Sequence, residues 1–303
     1  MSPSSTGSDS GSTPWFRRWF GQEYLDLYPH RDEEEAERAV HLLLDHADLH
    51  ESAPLLDLAC GAGRHLRCFT RNGVRTMGLD LSETLLEHAR ATGYQGPLVQ
   101  ADMRSLPFAA GAFGAVTSYF TSFGYFRSDA DDDRVLSEIA RILRPDGYLL
   151  LDFLNAERVR KTLRARDEEV VDGRRVVQER RLVSGGTAVE KTIRIEGGTE
   201  GGSDVFHERV RLYSPKDLGT LLSRRGFLPL TWFGDYAGSP PRAMSPRTIV
   251  LARASVRPSD DRRSDSESDH RRSDPGPGTA SNRRSRDPVP PPSSEPQASR
   301  DAT

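Results

Sequence analysis

The sequence predicts a doubly wound α/β fold, a mostly parallel sheet with an antiparallel β insertion near its C-terminal part. Three observations carry that reading. Short apolar runs alternate with helix-period segments between residues 54 and 153, the pattern of strands joined by crossover helices. The first run, Leu55-Leu56-Asp57-Leu58-Ala59, enters a small-residue turn, Cys60-Gly61-Ala62-Gly63, ahead of a helix-compatible segment. From Glu168 to Tyr213 the period becomes strand-like. Asp172-Gly173, Gly185-Gly186 and Gly197-Gly198 punctuate it as hairpin turns.

In chain order, residues 1–13 are rich in Ser, Gly and Thr and read as a disordered leader. Residues 14–31 concentrate aromatics, and helical spacing over 22–28 sets Tyr24 and Tyr28 on one face, as a lid would need. Asp32 caps a helix whose first turn, Glu33-Glu34-Glu35, suits the positive end of the helix dipole. Its apolar stripe runs through Ala36, Ala39, Val40, Leu43 and Leu44; His41 and His46 do not share a face, which argues against a metal site. Strands are expected at 54–59, 75–80, 97–100, 113–119 and 148–153. Helices are expected over about 63–72, after the Ser82 cap, and from Asp129 to Arg141. Pro145-Asp146-Gly147 reads as the turn into the fifth strand. After the insertion, Pro215 and Asp217 open a helix that Gly226 ends, and strand-like runs follow at 227–233 and 247–253. Residues 254–303 are Ser, Asp, Arg and Pro with few apolar side chains, and read as a disordered, solvated tail.

Composition narrows the function. The 303 residues can bury a sizeable core, and 42 basic against 45 acidic residues give a net charge of −3. That balance offers no basic excess to a nucleic-acid backbone or a membrane surface. No apolar run approaches the ~20 residues that cross a bilayer. Cys60 and Cys68 lie in the glycine turn and the helix after it, and read as reduced thiols of a cytoplasmic protein.

The glycine turn is where a ligand can approach the backbone, beyond the carboxyl end of a strand and at a helix N-terminus. Position 66 is Leu, where a dinucleotide fingerprint places its third glycine. Asp80 ends the next apolar run at the distance from which an acid reaches a ribose diol. The pattern keeps the ribose clamp and drops the pyrophosphate seat.

Four segments stand in order: Leu-Asp-Leu-Ala-Cys-Gly-Ala-Gly-Arg (56–64), Gly-Leu-Asp-Leu-Ser (78–82), Gln-Ala-Asp-Met-Arg (100–104) and Leu-Arg-Pro-Asp-Gly-Tyr-Leu-Leu-Leu-Asp (143–152). In them the chain resembles the class I S-adenosylmethionine-dependent methyltransferases of bacterial small-molecule type, over roughly residues 20–253. The resemblance implies a Rossmann-like, seven-stranded sheet. Residues 32–160 would form the cofactor-binding core, 161–213 an acceptor wall, and 214–253 a hairpin-like completion of the sheet.

The resemblance also assigns roles. Asp57 is a partner for the amino group of S-adenosyl-L-methionine, and Gly61 and Gly63 give backbone approach, with Ala59, Arg64 and Leu81 as further contacts. Asp80 accepts both ribose hydroxyls, Asp102 the adenine amino group with Met103 beside the ring, and Ser118 lies near the methyl group. Tyr119, Tyr125 and His207 are the catalytic candidates, His207 as a general base that is neutral near pH 7. Tyr24, Tyr28, Ser122, Trp232, Tyr236 and Arg247 are expected around the acceptor, with Trp232 to Tyr236 and the insertion as an aromatic outer wall.

The reading that follows is methyl transfer to oxygen or nitrogen of a small-molecule acceptor, without a metal. An RNA or other macromolecular methyltransferase and a non-catalytic cofactor-binding module are alternatives. A nicotinamide oxidoreductase is disfavoured by Leu66 and by the antiparallel ending.

Overall fold

The computed structural model describes residues 14–28, 33–49, 53–197 and 202–255. The expected leader, the Asp32 cap and the tail beyond Ser255 lie outside them. Helices α1 (Trp15–Trp19), α2 (Gln22–Leu27) and α3 (Glu33–Leu44) lead into the alternating part. That part runs β1 (Leu55–Leu58), α4 (Arg64–Arg71), β2 (Thr76–Asp80), α5 (Glu83–Ala91), β3 (Leu98–Gln100), β4 (Phe113–Ser118), α6 (Asp129–Ile142) and β5 (Leu143–Leu154). After α7 (Ala156–Thr162) come β6 (Arg166–Val171), β7 (Arg174–Val183), β8 (Ala188–Glu196) and β9 (Ser203–Arg211). Helix α8 (Pro215–Arg224) and strands β10 (Phe227–Phe233) and β11 (Arg247–Ala254) close the fold.

The main sheet has seven strands in the order β10-β11-β5-β4-β1-β2-β3. Strands β1 to β5 are parallel, and β11 runs antiparallel between β5 and β10. Strand β1 pairs with β2 on one side and β4 on the other, so the order reverses there and opens a crevice beyond the carboxyl ends. Every residue of β1 and β4 is buried, as a sheet covered on both faces requires. Strand β5 begins at Leu143, directly after α6, rather than at Tyr148. Leu143 already pairs with Phe113, and Asp146 takes the bend at φ +61° inside the strand.

Local chemistry sets the helix ends. The Ser82 hydroxyl accepts from the Leu85 amide at 3.2 Å, and Ser214 with Asp217 forms a capping box at the start of α8. At the first crossover, Leu66 of α4 is fully buried, and its Cδ1 stands 2.5 Å from where a Cβ on Gly78 of β2 would sit. The close helix–strand approach that a dinucleotide fold obtains from a helix glycine is obtained here from a strand glycine.

The second sheet is antiparallel, in the order β6-β7-β8-β9. Trp19 of α1 and Leu27 of α2 share a hydrophobic cluster with Val176, Ile193 and Ile195 of that sheet, distinct from the three clusters around the main sheet. Cys60 and Cys68 are buried and unbridged. Among the described residues no helix is long and apolar enough to cross a membrane, and no group of three His, Cys, Asp or Glu is placed to hold a metal.

Candidate active site

A cavity of about 1100 Å³ lies beyond the carboxyl ends of β1, β2, β3 and β4. Its base is the glycine turn. Ala59 and Gly61 take left-handed φ values of +58° and +53°, which turn the chain sharply between β1 and α4. Gly61 donates its amide to Asp80 Oδ2 at 2.8 Å, and Ser82 donates to Oδ1 at 2.9 Å. Each carboxylate oxygen thus keeps a lone pair for one more donor, as a vicinal diol would supply. Burial raises the Asp80 pKa, against the pull of the Ser82, Gly61 and Leu81 amides. Gly63 faces α5 instead: a Cβ there would stand 2.9 Å from the Ala89 Cβ.

Asp102 and Met103 line the cavity past β3, and Leu81 lines it past β2. The Asp102 carboxylate accepts from Arg104 Nε at 3.0 Å and Nη2 at 2.7 Å. Those side-chain bonds hold its pKa below the ordinary value. Asp57 and Ser118 are set behind the lining, 1% and 2% exposed, because both sit within strands that are covered on each face. Asp57 Oδ1 accepts from the Thr117 hydroxyl at 2.9 Å, Oδ2 has no hydrogen bond among the described residues, and burial pushes the carboxyl up to about 7. Neither residue meets the cavity directly.

The segment after β4 forms one side of the cavity. Tyr119 lines it with its ring, which stacks on His65 at 4.1 Å, while its hydroxyl donates to the Ala39 carbonyl of α3 at 3.2 Å. A phenol committed to α3, with its pKa pushed well above ordinary by burial, presents a surface rather than a proton carrier. Ser122 Oγ donates to the Tyr119 carbonyl at 2.9 Å, and Tyr125 packs on Trp15 and Phe20 of the lid. Between them Phe120 and Thr121 hold left-handed φ values of +59° and +65°, costly for bulky and β-branched residues unless the surroundings impose them.

Asp152 imposes them. Its Oδ2 accepts the Phe120 amide at 2.8 Å and its carbonyl accepts the Thr121 amide at 3.1 Å. Tyr236 donates its hydroxyl to the same carboxylate at 2.5 Å, and Arg247 binds both oxygens and reaches Thr121 Oγ1 at 3.1 Å. The structure therefore places Tyr236 and Arg247 under the cavity wall, supporting Phe120 and Thr121. Trp232 packs on the hydrophobic core beside Gly219 of α8, away from the cavity. Arg64 does line the cavity, with its guanidinium 4.5 Å from the Phe120 ring centre and 3.3 Å from Glu35.

Helices α1 and α2 and the antiparallel sheet enclose the far side. Tyr24 and Tyr28 line the cavity with ring centres 5.3 Å apart. Trp19 beneath them packs on Phe206 of β9 at 4.8 Å, and Arg174 of β7 donates to Glu23 at 2.6 Å. The insertion contributes charge, not the expected aromatic wall. Arg180, Lys191 and Glu208 are cross-strand neighbours on β7, β8 and β9, and all three line the cavity with Gln178. His207 alternates to the opposite face, where it is exposed and contacts Thr192 Oγ1 at 3.3 Å. Strand parity thus exchanges His207 for Glu208. The residues missed from the sequence, Gln178, Lys191 and Glu208, share one parity, a signal that needs the register of the hairpins to be read.

Residues 56–151 match the family model described as "Methyltransferase domain". The chain is 38% identical over 102 residues to dTDP-3-amino-3,4,6-trideoxy-alpha-D-glucopyranose N,N-dimethyltransferase of Streptomyces venezuelae, covering 34% of this chain and 43% of that one. It is also 38% identical over 122 residues to demethylmenaquinone methyltransferase of Thermus thermophilus, covering 38% and 51%. The match therefore spans about half, or less, of these relatives. In three dimensions the fold superposes on the CcbJ methyltransferase of Streptomyces caelestis with a TM-score of 0.67, at 17% identity, over 78% of this chain and 98% of that one. Streptomyces venezuelae DesVI gives 0.53 at 27% identity, over 76% and 95%. The strand order and the family match agree: residues 56–151 carry the methyltransferase-domain likeness, and the carboxylate at the end of β2 is set to accept a diol.

Proposed function

We propose that the protein transfers a methyl group from S-adenosyl-L-methionine to an oxygen or nitrogen of a small polar acceptor by in-line displacement. One observation carries the reading. Asp80 is braced by two backbone amides with lone pairs left for a diol, at the base of a cavity large enough for a cofactor and a second molecule. The bound cofactor supplies a methyl group already activated on a positively charged sulfur.

The chain's own work is to bind and align. Asp80 holds the ribose end, Asp102 and Met103 the adenine end, and Ala59, Gly61 and Arg64 lie along the path between the ribose and the segment after β4. Tyr119, Phe120 and Tyr125 exclude water from the reacting centre, and Tyr24 and Tyr28 close the opening as a lid. The insertion forms the acceptor wall. A cavity lined by paired charges of both signs suits a small polar molecule better than a nucleic-acid backbone. The likeness to an amino-sugar N,N-dimethyltransferase supports a hydroxyl- or amino-bearing sugar as the acceptor.

The test incubates the pure protein with methyl-labelled cofactor and either dTDP-amino sugars or a metabolite extract, with mass spectrometry for transferred label. Cofactor binding with no label on any acceptor would leave the fold assignment and remove the enzymatic one.

A further inference from the structure

The inner face of the antiparallel sheet is divided in two. On one half Val176, Ile193, Ile195 and Phe206 are covered by Trp19 and Leu27 of the lid. On the other, the register sets Arg180, Lys191 and Glu208 side by side, with Gln178 one pleat away, facing the cavity. Ion pairs withdrawn from water contribute little to stability because desolvation offsets their attraction. An apolar continuation of the face would have packed the lid as well, so packing does not account for this row.

The row is also pre-oriented. Gln178 is 7% exposed and its amide is fixed at both ends: Oε1 accepts from Arg180 at 2.6 Å and Nε2 donates to Glu169 at 3.0 Å. One N–H of that amide is left to donate into the cavity. Lys191 donates to the Tyr28 hydroxyl at 2.8 Å and pairs with Glu208 at 3.6 Å, which positions the Glu208 carboxylate with lone pairs to spare. Arg180 has its own acid in Asp167 at 2.5 Å, so the two cations are balanced within the row. A neutral or cationic molecule with adjacent hydroxyl or amino groups on a saturated ring matches such donors and acceptors. A flat apolar ring would leave them unsatisfied.

We infer that Gln178, Lys191 and Glu208 form the surface that reads the hydroxyl or amino groups of the acceptor and sets its reacting atom toward the methyl group. The inference rests on the methyltransferase reading above.

The experiment titrates the full chain, saturated with S-adenosylhomocysteine, with methyl 3-amino-3-deoxy-α-D-glucopyranoside or with 2-naphthol, followed by saturation-transfer NMR. The glycoside is expected to bind in preference to the naphthol. Glu208→Gln and Gln178→Leu each weaken it by about tenfold or more, the loss of a hydrogen bond to a buried partner. The opposite-face substitutions Glu179→Gln and Thr192→Val change it by less than about twofold, and no substitution moves the S-adenosylhomocysteine affinity by more than that. Thermal melts identify a misfolded variant; Glu208→Asp, which keeps the charge but withdraws it by one methylene, then carries the test with the same expected loss. Preference for naphthol, no binding of the glycoside, or inner-face variants that bind like wild type would each overturn the inference and leave the methyltransferase standing. Failure of wild type to bind S-adenosylhomocysteine would instead overturn the methyltransferase reading, and this inference with it.

Discussion

Arg247 grips Asp152 with two arms of its guanidinium, Nε to Oδ1 at 2.7 Å and Nη2 to Oδ2 at 2.8 Å, and the same carboxylate accepts the Phe120 amide at 2.8 Å. Through this pair the last strand of the sheet fixes the left-handed segment that borders the cavity. Asp152 is fully buried, so the pair cannot be broken without stranding a charge. Arg247→Met is expected to cost about 3–5 kcal/mol of unfolding free energy in urea titration. Arg247→Lys should recover only part of it, since an ammonium cannot reproduce the fork. A Lys variant as stable as wild type would show that charge alone, not the forked geometry, holds the segment.

Asp80 makes the sharpest prediction for the cofactor. In Asp80→Asn one carboxylate oxygen becomes an NH2 group, which opposes either the Gly61 or the Ser82 amide. Binding of S-adenosylhomocysteine should weaken by roughly 1.5–3 kcal/mol, the worth of a hydrogen bond to a charged group. Calorimetry measures it, and an unchanged affinity would remove Asp80 from the ribose site.

Gly78 and Leu66 should behave as a coupled pair. A Cβ on Gly78 would meet Leu66 Cδ1 at 2.5 Å, Leu98 Cδ2 at 2.6 Å and Cys60 Sγ at 2.8 Å. Gly78→Ala is therefore expected to destabilise by about 1–3 kcal/mol, the cost of overpacking. Adding Leu66→Ala should make the pair less destabilised than the sum of the two single changes, a non-additivity read from a double-mutant cycle. Strict additivity would mean that the two residues do not share the space.

Asp57 predicts a pH dependence. Its carboxyl rises from an ordinary value of 3.8 to about 7, chiefly by burial. Between those values the folded chain holds a proton that the unfolded chain has released. Stability from this group is thus complete below the lower value and is lost as pH rises through the upper one. Asp132, raised to about 6 mainly by burial, acts in the same direction. Asp57→Asn keeps a partner for the Thr117 hydroxyl and removes the ionisation. Melting temperature should fall less in this variant than in wild type between about pH 5 and pH 8, the slope for one proton being at most about 1.4 kcal/mol per pH unit. Parallel curves would show that Asp57 titrates normally.

The alternating part of the fold was legible because each strand is a short apolar run between turn residues, and the Ser82 cap and Asp172-Gly173 turn name themselves locally. What was not legible depended on pairings between distant residues. Arg247 and Tyr236 were expected at the acceptor, but their partner, Asp152, lies 95 and 84 residues away and uses them to hold the segment after β4. His207 was read as a base because histidine suits the task; its orientation followed from the pairing of β8 with β9, which composition does not reveal. Asp102 lines the cavity, and its pairing with Arg104, two residues on, carried no signal in the motif that holds both.

The attachment of the N-terminal aromatic segment to the antiparallel sheet also has a consequence for how the chain is made. Tyr28 and Lys191 are 163 residues apart and Glu23 and Arg174 are 151 apart, yet each pair is joined in the finished protein. During synthesis the N-terminal aromatics emerge long before the strands that cover them, so Trp19 and Leu27 wait, uncovered, until β9 has been made. The five parallel strands β1 to β5, which pair over shorter stretches, have the components to assemble in the meantime. Closure of so long a loop is slow. Helices α1 and α2 are therefore translated before the strands that cover them and are among the last elements to find their place, and a chaperone that protects exposed aromatics would act on residues 15–28.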